Sequence, residues 1–132
     1  LIQGDALSAA LPDRSVSGVT CGFALRNLEA LPPFFAEVAR VLTPGGRMAV
    51  LEVDLPNNPG LRFGHGFYFG RVVPWIGALL SDRDAYRYLP RSVAYLPDQT
   101  QLLALIAKAG FTEVEKTSLT GGIAQLITAT RL

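Results

Sequence analysis

With 132 residues, 49% of them hydrophobic and 17% charged, the chain has the size and apolar content of one domain, or part of one, with a buried core. A net charge of +1 creates no field that would gather nucleic acid. The single cysteine, Cys21, excludes an intrachain disulfide and suits a reducing compartment. No basic segment leading into an apolar core and a small-residue cleavage site opens the chain, so export has no support.

Leu1-Ile2-Gln3-Gly4-Asp5 begins without methionine and reads as the tail of a strand already under way. The expectation is a fragment whose remainder lies upstream. Residues 1–13 give that strand end, a turn at Gly4-Asp5 and a loop stopped by Pro12. Asp5 reads first as a turn residue bonding its own backbone, and second as a crevice carboxylate accepting from a ligand amine.

Val16–Phe23 reads as a strand, and the stretch Gly18–Asn27 then ends abruptly in Arg26 and Asn27. In an open α/β sheet, ligands gather at the carboxyl ends of strands, so this strand delivers a candidate site. A solvated loop is the plain alternative. Ala30–Leu42 has helical spacing in Phe34, Val38, Val41 and Leu42, with Pro32 and Pro33 in a first turn and Glu37 and Arg40 outside. Thr43-Pro44-Gly45-Gly46 stops the helix, and Arg47–Val53 is an apolar strand with a second carboxylate, Glu52. Strand, helix, glycine turn and strand make a βαβ unit of a buried parallel sheet.

Residues 54–97 break that rhythm. Gly60–Leu80 is apolar and aromatic but too interrupted, by Arg62, His65, Arg71, glycines and Pro74, to span a membrane. It reads as a helical insertion on the core or as a lid over an apolar ligand. Ser81–Tyr95 is polar and tyrosine-rich, a pocket rim rather than core. His65 has no partner cluster and reads as structural, so no metal site is expected. Asp98 caps a helix at Gln99–Ala109, with Leu102, Leu105, Ile106 and Ala109 inward and Gly110 ending it. Phe111–Thr117 and Ile123–Thr130, joined through Leu119–Gly122, read as two closing strands that put an antiparallel edge on a mainly parallel sheet.

Taken together, these segments resemble the quinone-ring C-methyltransferases that act late in menaquinone and ubiquinone biosynthesis. The matching residues are GDA at Gly4–Ala6, LPD at Leu11–Asp13, GFALRN at Gly22–Asn27, RVLTPGGR at Arg40–Arg47 and LEV at Leu51–Val53. DRDAYRYLPRSV at Asp82–Val93, PDQ at Pro97–Gln99, AGF at Ala109–Phe111 and LTGGIA at Leu119–Ala124 continue the series. The TPGGR turn is common to many methyltransferases; the ordered set LRN, AYRYL-x-x-S, PDQ and LTGG is far more specific.

The resemblance implies an α/β protein: the C-terminal part of a Rossmann-like class I methyltransferase sheet, with the family's first strands, glycine-rich loop and ribose-binding acid absent. It implies S-adenosyl-L-methionine as cofactor, with Asp5 accepting from the adenine amine, the Ala6 backbone beside the adenine, and Gly22 at the strand end. Arg26 and Asn27 would face the reacting ring as catalytic residues. Tyr86, Tyr88 and Ser92 would form a substrate wall, and the 54–97 insertion would shelter a polyprenyl tail. Three departures stand out: Ser17 replaces an aspartate, Gly22 replaces a serine, and QLITATRL lacks the usual His-Arg-Gly.

Methylating an aromatic carbon needs an electron-rich ring, so a phenolic proton must leave or nearly leave. Arginine stays protonated, so Arg26 is expected to stabilise the phenolate or hold a water that takes the proton, with Asn27 orienting the ring. Three readings stand. The first is C-methylation of a polyprenylated, lipophilic quinol of the demethylmenaquinone type. The second is methylation of another small aromatic or polyketide-like acceptor, to which the altered tail gives weight. The third is a non-catalytic fragment that folds and self-associates. A cytoplasmic homo-oligomer touching the inner face of the membrane peripherally, without nucleic acid, completes the expectation.

Overall fold

The computed structural model describes residues 3–54, 60 and 96–132. Most of the 54–97 insertion therefore lies outside the described residues, as do His65, Tyr86, Tyr88 and Ser92. The elements are β1 (Val16–Gly22), a 3₁₀ turn (Leu25–Asn27), α1 (Leu31–Val41), β2 (Leu42–Val53), α2 (Gln99–Lys108), β3 (Phe111–Leu119), a second 3₁₀ turn (Thr120–Gly122) and β4 (Ala124–Arg131).

The helices form where the sequence predicts them, within a residue or two. Proline occupies the first turn of α1, where its missing N–H is one of the helix's unpaired donors anyway. Asp98 caps α2 by accepting from the Gln101 N–H at 2.9 Å. Gly110, at φ 95°, takes the chain out of α2.

The sheet has the order β1-β2-β4-β3. β1 and β2 are parallel, and β4 is antiparallel to both of its neighbours. The closing pair is thus antiparallel, as expected at this edge, but the last strand is not the outermost: β4 slots between β2 and β3.

Two irregularities escape a reading by period. β2 begins at Leu42, ahead of the TPGGR turn rather than after it, because the register jumps from Val16↔Leu42 to Gly18↔Arg47 and Thr43–Gly46 bulge out opposite Ser17. Gly46 sits inside that bulge with no room for a side chain: a Cβ would lie 2.8 Å from the Thr43 carbonyl oxygen and 3.1 Å from that of Ser17. In β3 the register shifts between Thr112 and Glu115, with Glu113 at φ 49°. That extra residue lets Phe111 and Val114, three apart, both pack against the core.

The core lies on one face of the sheet. Phe34, Phe35, Val38 and Ala39 of α1 and Leu102 and Ile106 of α2 cover Met48 and Val50 of β2 and Ile127 and Ala129 of β4. Phe34 and Phe35 meet edge to face, with centroids 5.4 Å apart. Arg131 ties the layers together, donating from Nε to the Ala39 carbonyl at 2.9 Å and from Nη1 to the Gly110 carbonyl at 2.9 Å. A cation is thereby placed at the carboxyl ends of both helices, where the backbone dipole is negative.

Candidate functional site

The pairing of β2 with β4 shows where the core stops being a core. Met48 faces Ala129 and Val50 faces Ile127, both apolar and buried. One step further towards the carboxyl end of β2, Glu52 faces Gln125, and both are buried. The Gln125 amide donates to the Val53 carbonyl at 3.1 Å. A buried carboxylate at the end of a parallel strand is costly unless paired, and the partner comes from β1.

β1 ends at Gly22, where an added Cβ would meet nothing within 4 Å. Phe23 follows at φ 55°, pinned by its N–H to the Leu51 carbonyl at 2.8 Å, with its ring 44% exposed. A bulky residue in that region is a genuine outlier, of the kind that collects at functional sites. The 3₁₀ turn then buries Leu25 and aims Arg26 at Glu52, with Nη1 2.7 Å from Oε1. The Arg26 side chain is 11% exposed and that of Glu52 is fully buried. On its outer side the guanidinium carbon lies 5.9 Å from the centre of the Phe23 ring, within cation–π reach.

The pair is single-pronged. Glu52 Oε1 accepts from Arg26 and from the Val53 N–H at 2.9 Å, while Oε2 and the Arg26 Nε–H are buried without a partner among the described residues. The Glu52 charge also reaches Cys21, whose thiol is pushed up, first by burial and then by that carboxylate.

Arg26 and Asn27 line a cleft of about 510 Å³ whose walls also include Leu25, Leu28, Glu29, Leu31, Leu96 and Leu105. A mostly apolar cavity with a few polar groups suits a flat, lipophilic ring with an oxygen substituent. Of the two residues singled out in the sequence, Asn27 is exposed and Arg26 is turned inward. Glu52, the group that turns it, was visible only as a carboxylate ending an apolar run; burial is what marks it.

Asp5 and Ala6 are exposed in the N-terminal loop, and Asp5 Oδ1 accepts from the Leu7 N–H at 2.8 Å. This is the turn reading of Asp5. Only one of its oxygens is used there, so the carboxylate keeps room for a ligand donor. The loop is held by α1: Arg40 bonds the Ala9 and Leu11 carbonyls and pairs with Asp13 and Glu37, and Glu37 accepts from the Ala9 N–H at 2.7 Å. Glu37 and Arg40, expected on the outer face of the helix, form the clamp between helix and loop there. Among the described residues no cluster of side chains suits a metal ion, and no helix is long and apolar enough to cross a membrane.

A model of the ubiE/COQ5 methyltransferase family matches residues 1–131. The chain is 40% identical over 126 residues to the ubiquinone/menaquinone biosynthesis C-methyltransferase UbiE of Dinoroseobacter shibae, covering 95% of this chain and 50% of that one. It is 42% identical over 114 residues to the demethylmenaquinone methyltransferase of Roseiflexus castenholzii, covering 86% of this chain and 48% of the relative. The chain thus spans about half the length of these relatives. Its fold matches the crystal structure of a SAM-dependent methyltransferase from Aquifex aeolicus with a TM-score of 0.64 at 12% identity, over 100% of this chain and 54% of that one.

Proposed function

We propose, because this chain belongs to the ubiE/COQ5 methyltransferase family, that it carries the acceptor side of an S-adenosyl-L-methionine-dependent enzyme that methylates a carbon of a lipophilic quinol ring. The observation that carries this reading is a largely buried arginine in the turn after β1, lining a cleft with leucine walls. The acceptor class is supported by what such a cleft binds and by the names of relatives 40% and 42% identical over the aligned residues. A polyprenylated quinol of the demethylmenaquinone type is the specific acceptor we assign.

The cofactor's side of the site fits in part. The unused oxygen of Asp5 would accept from the adenine amine, the Ala6 backbone would lie beside it, and the open space at Gly22 would admit a ligand at the strand end. When bound, S-adenosyl-L-methionine supplies an electrophilic methyl group. The chain's own part is electrostatic: the Arg26 guanidinium, always charged, faces the oxygen whose proton must leave, and Asn27 orients the ring. Burial strengthens that interaction, because little water competes for it. Tyr86, Tyr88 and Ser92 remain our assignment for the remaining substrate wall.

The tail QLITATRL, the departure that favours a different aromatic acceptor, has a packing explanation in Arg131, which bonds the ends of both helices. Self-association is part of the proposal, since the outer side of β1 has no strand partner among the described residues. So is peripheral contact with the cytoplasmic face of a membrane, which a polyprenyl tail requires.

Calorimetric titration of S-adenosylhomocysteine into this chain and into the whole protein tests the reading, followed by methyl transfer to a demethylmenaquinone-type quinol and to a polyketide-like phenol. Binding by the whole protein and transfer to the quinol are expected. A whole protein that binds no S-adenosylhomocysteine overturns the reading; transfer to the phenol alone replaces the acceptor.

A further inference from the structure

Glu52 is expensive to keep where it is. A fully buried carboxylate held by one arginine nitrogen loses most of its hydration, and a leucine of similar volume would serve a core better. A local rule broken without structural gain is expected at functional positions. The pair also leaves a specific residue of unmet chemistry: one buried donor, Arg26 Nε–H, and one buried acceptor, Glu52 Oε2. Buried polar groups without partners call for an explanation, and a group that both donates and accepts would satisfy the two together. A hydroxyl is such a group.

Resting on the reading of the cleft as a quinol site, we propose that Glu52 recognises a phenolic hydroxyl of the acceptor together with Arg26: Arg26 donates to the hydroxyl oxygen, and Glu52 Oε2 accepts its proton. Arg26 lines the cleft and Glu52 lies behind it, tied to Nη1 through Oε1, so in the proposed complex the carboxylate turns about its broad terminal torsion and exchanges its Oε1 contacts for the hydroxyl. In the proton transfer, the O–H bond breaks, its electron pair stays on the ring oxygen, and the proton passes to Oε2. The Arg26 guanidinium then faces the phenolate it has helped to form. Arginine cannot take that proton itself, and no other carboxylate among the described residues is both buried and bonded to Arg26. The Phe23 ring, held out by its φ of 55° over the guanidinium, closes the pair's outer side.

The test compares two probes, one with hydroxyls and one with methyl ethers in their place: 1,4-naphthohydroquinone, kept reduced under anaerobic conditions, and 1,4-dimethoxynaphthalene. Binding is measured to the whole protein and to its Glu52→Gln variant, whose fold is checked by circular dichroism. The wild type is expected to prefer the hydroquinone by about tenfold or more, the value of a hydrogen bond to a charged group. Glu52→Gln is expected to lose that preference while still binding the ether. If both probes weaken alike, Glu52 is only structural and the proposal fails. If Glu52→Gln keeps the preference, the Glu52 assignment alone fails; if the wild type binds neither probe, the quinol reading fails with it. Should Glu52→Gln not fold, Glu52→Asp keeps a carboxylate one methylene back and is expected to retain a reduced preference. Equal weakening of both probes by Glu52→Asp overturns the proposal.

Discussion

Arg26→Leu would strand the Glu52 carboxylate in a fully buried position with only the Val53 N–H for company. Breaking a buried pair from one side costs roughly 3–5 kcal/mol, whereas replacing both partners by apolar groups is often neutral. Urea unfolding should therefore show Arg26→Leu far less stable than the wild type, and Arg26→Leu/Glu52→Leu recovering most of the loss. Arg26→Lys keeps the charge but not the planar fork. In the whole protein it should lose most turnover while binding cofactor normally; unchanged turnover would remove Arg26 from the mechanism. Glu37 offers a pH prediction. Its carboxyl is held below the ordinary 4.5, chiefly by the Arg40 hydrogen bond. Because the folded value is the lower one, this stabilisation is complete above about pH 4.5 and fades as pH falls through the folded value. Melting temperatures of Glu37→Gln and wild type should differ at pH 7 and converge at the acid end.

At the scale of elements, what the sequence showed plainly was what repeats. The helix of Phe34, Val38 and Val41 and the helix capped by Asp98 follow from spacing and capping alone. What it hid was every place where the chain departs from a period. The bulge at Thr43–Gly46 reads as a turn because Pro-Gly-Gly says so, yet pairing with β1 flanks it on both sides, at Leu42 and again from Arg47. Glu113 has no residue type that advertises φ 49°. Glu52 was legible as a residue and not as half of a pair, since its partner lies 26 positions away and meets it only through the sheet. Gly46→Ala tests the bulge: a Cβ 2.8 Å from a backbone oxygen cannot be relieved by moving a side chain, and overpacking of this kind costs roughly 1–3 kcal/mol. Asp98→Ala should cost about 1 kcal/mol by loss of the cap. Chemical denaturation midpoints at constant slope check both.

At the scale of the molecule, one face of the sheet is core and its carboxyl end is site, and the change occurs between adjacent cross-strand pairs, Val50/Ile127 and Glu52/Gln125. β1 and β3 are the outer strands of the described sheet. An unpaired β1 edge makes self-association the expected behaviour of this chain in solution; a single monomeric mass by light scattering would count against it. The placement of β4 carries a consequence for the order of events during synthesis. β3 leaves the ribosome before the strand it pairs with, and β2 waits still longer, with α2 and β3 made in between. Until residues 124–131 emerge, β3 has no seat in the sheet and the apolar face of β2 lacks its middle neighbour. Nascent chains stalled short of β4 should therefore be cut readily by protease within β3, and become resistant there once residues 124–131 are free.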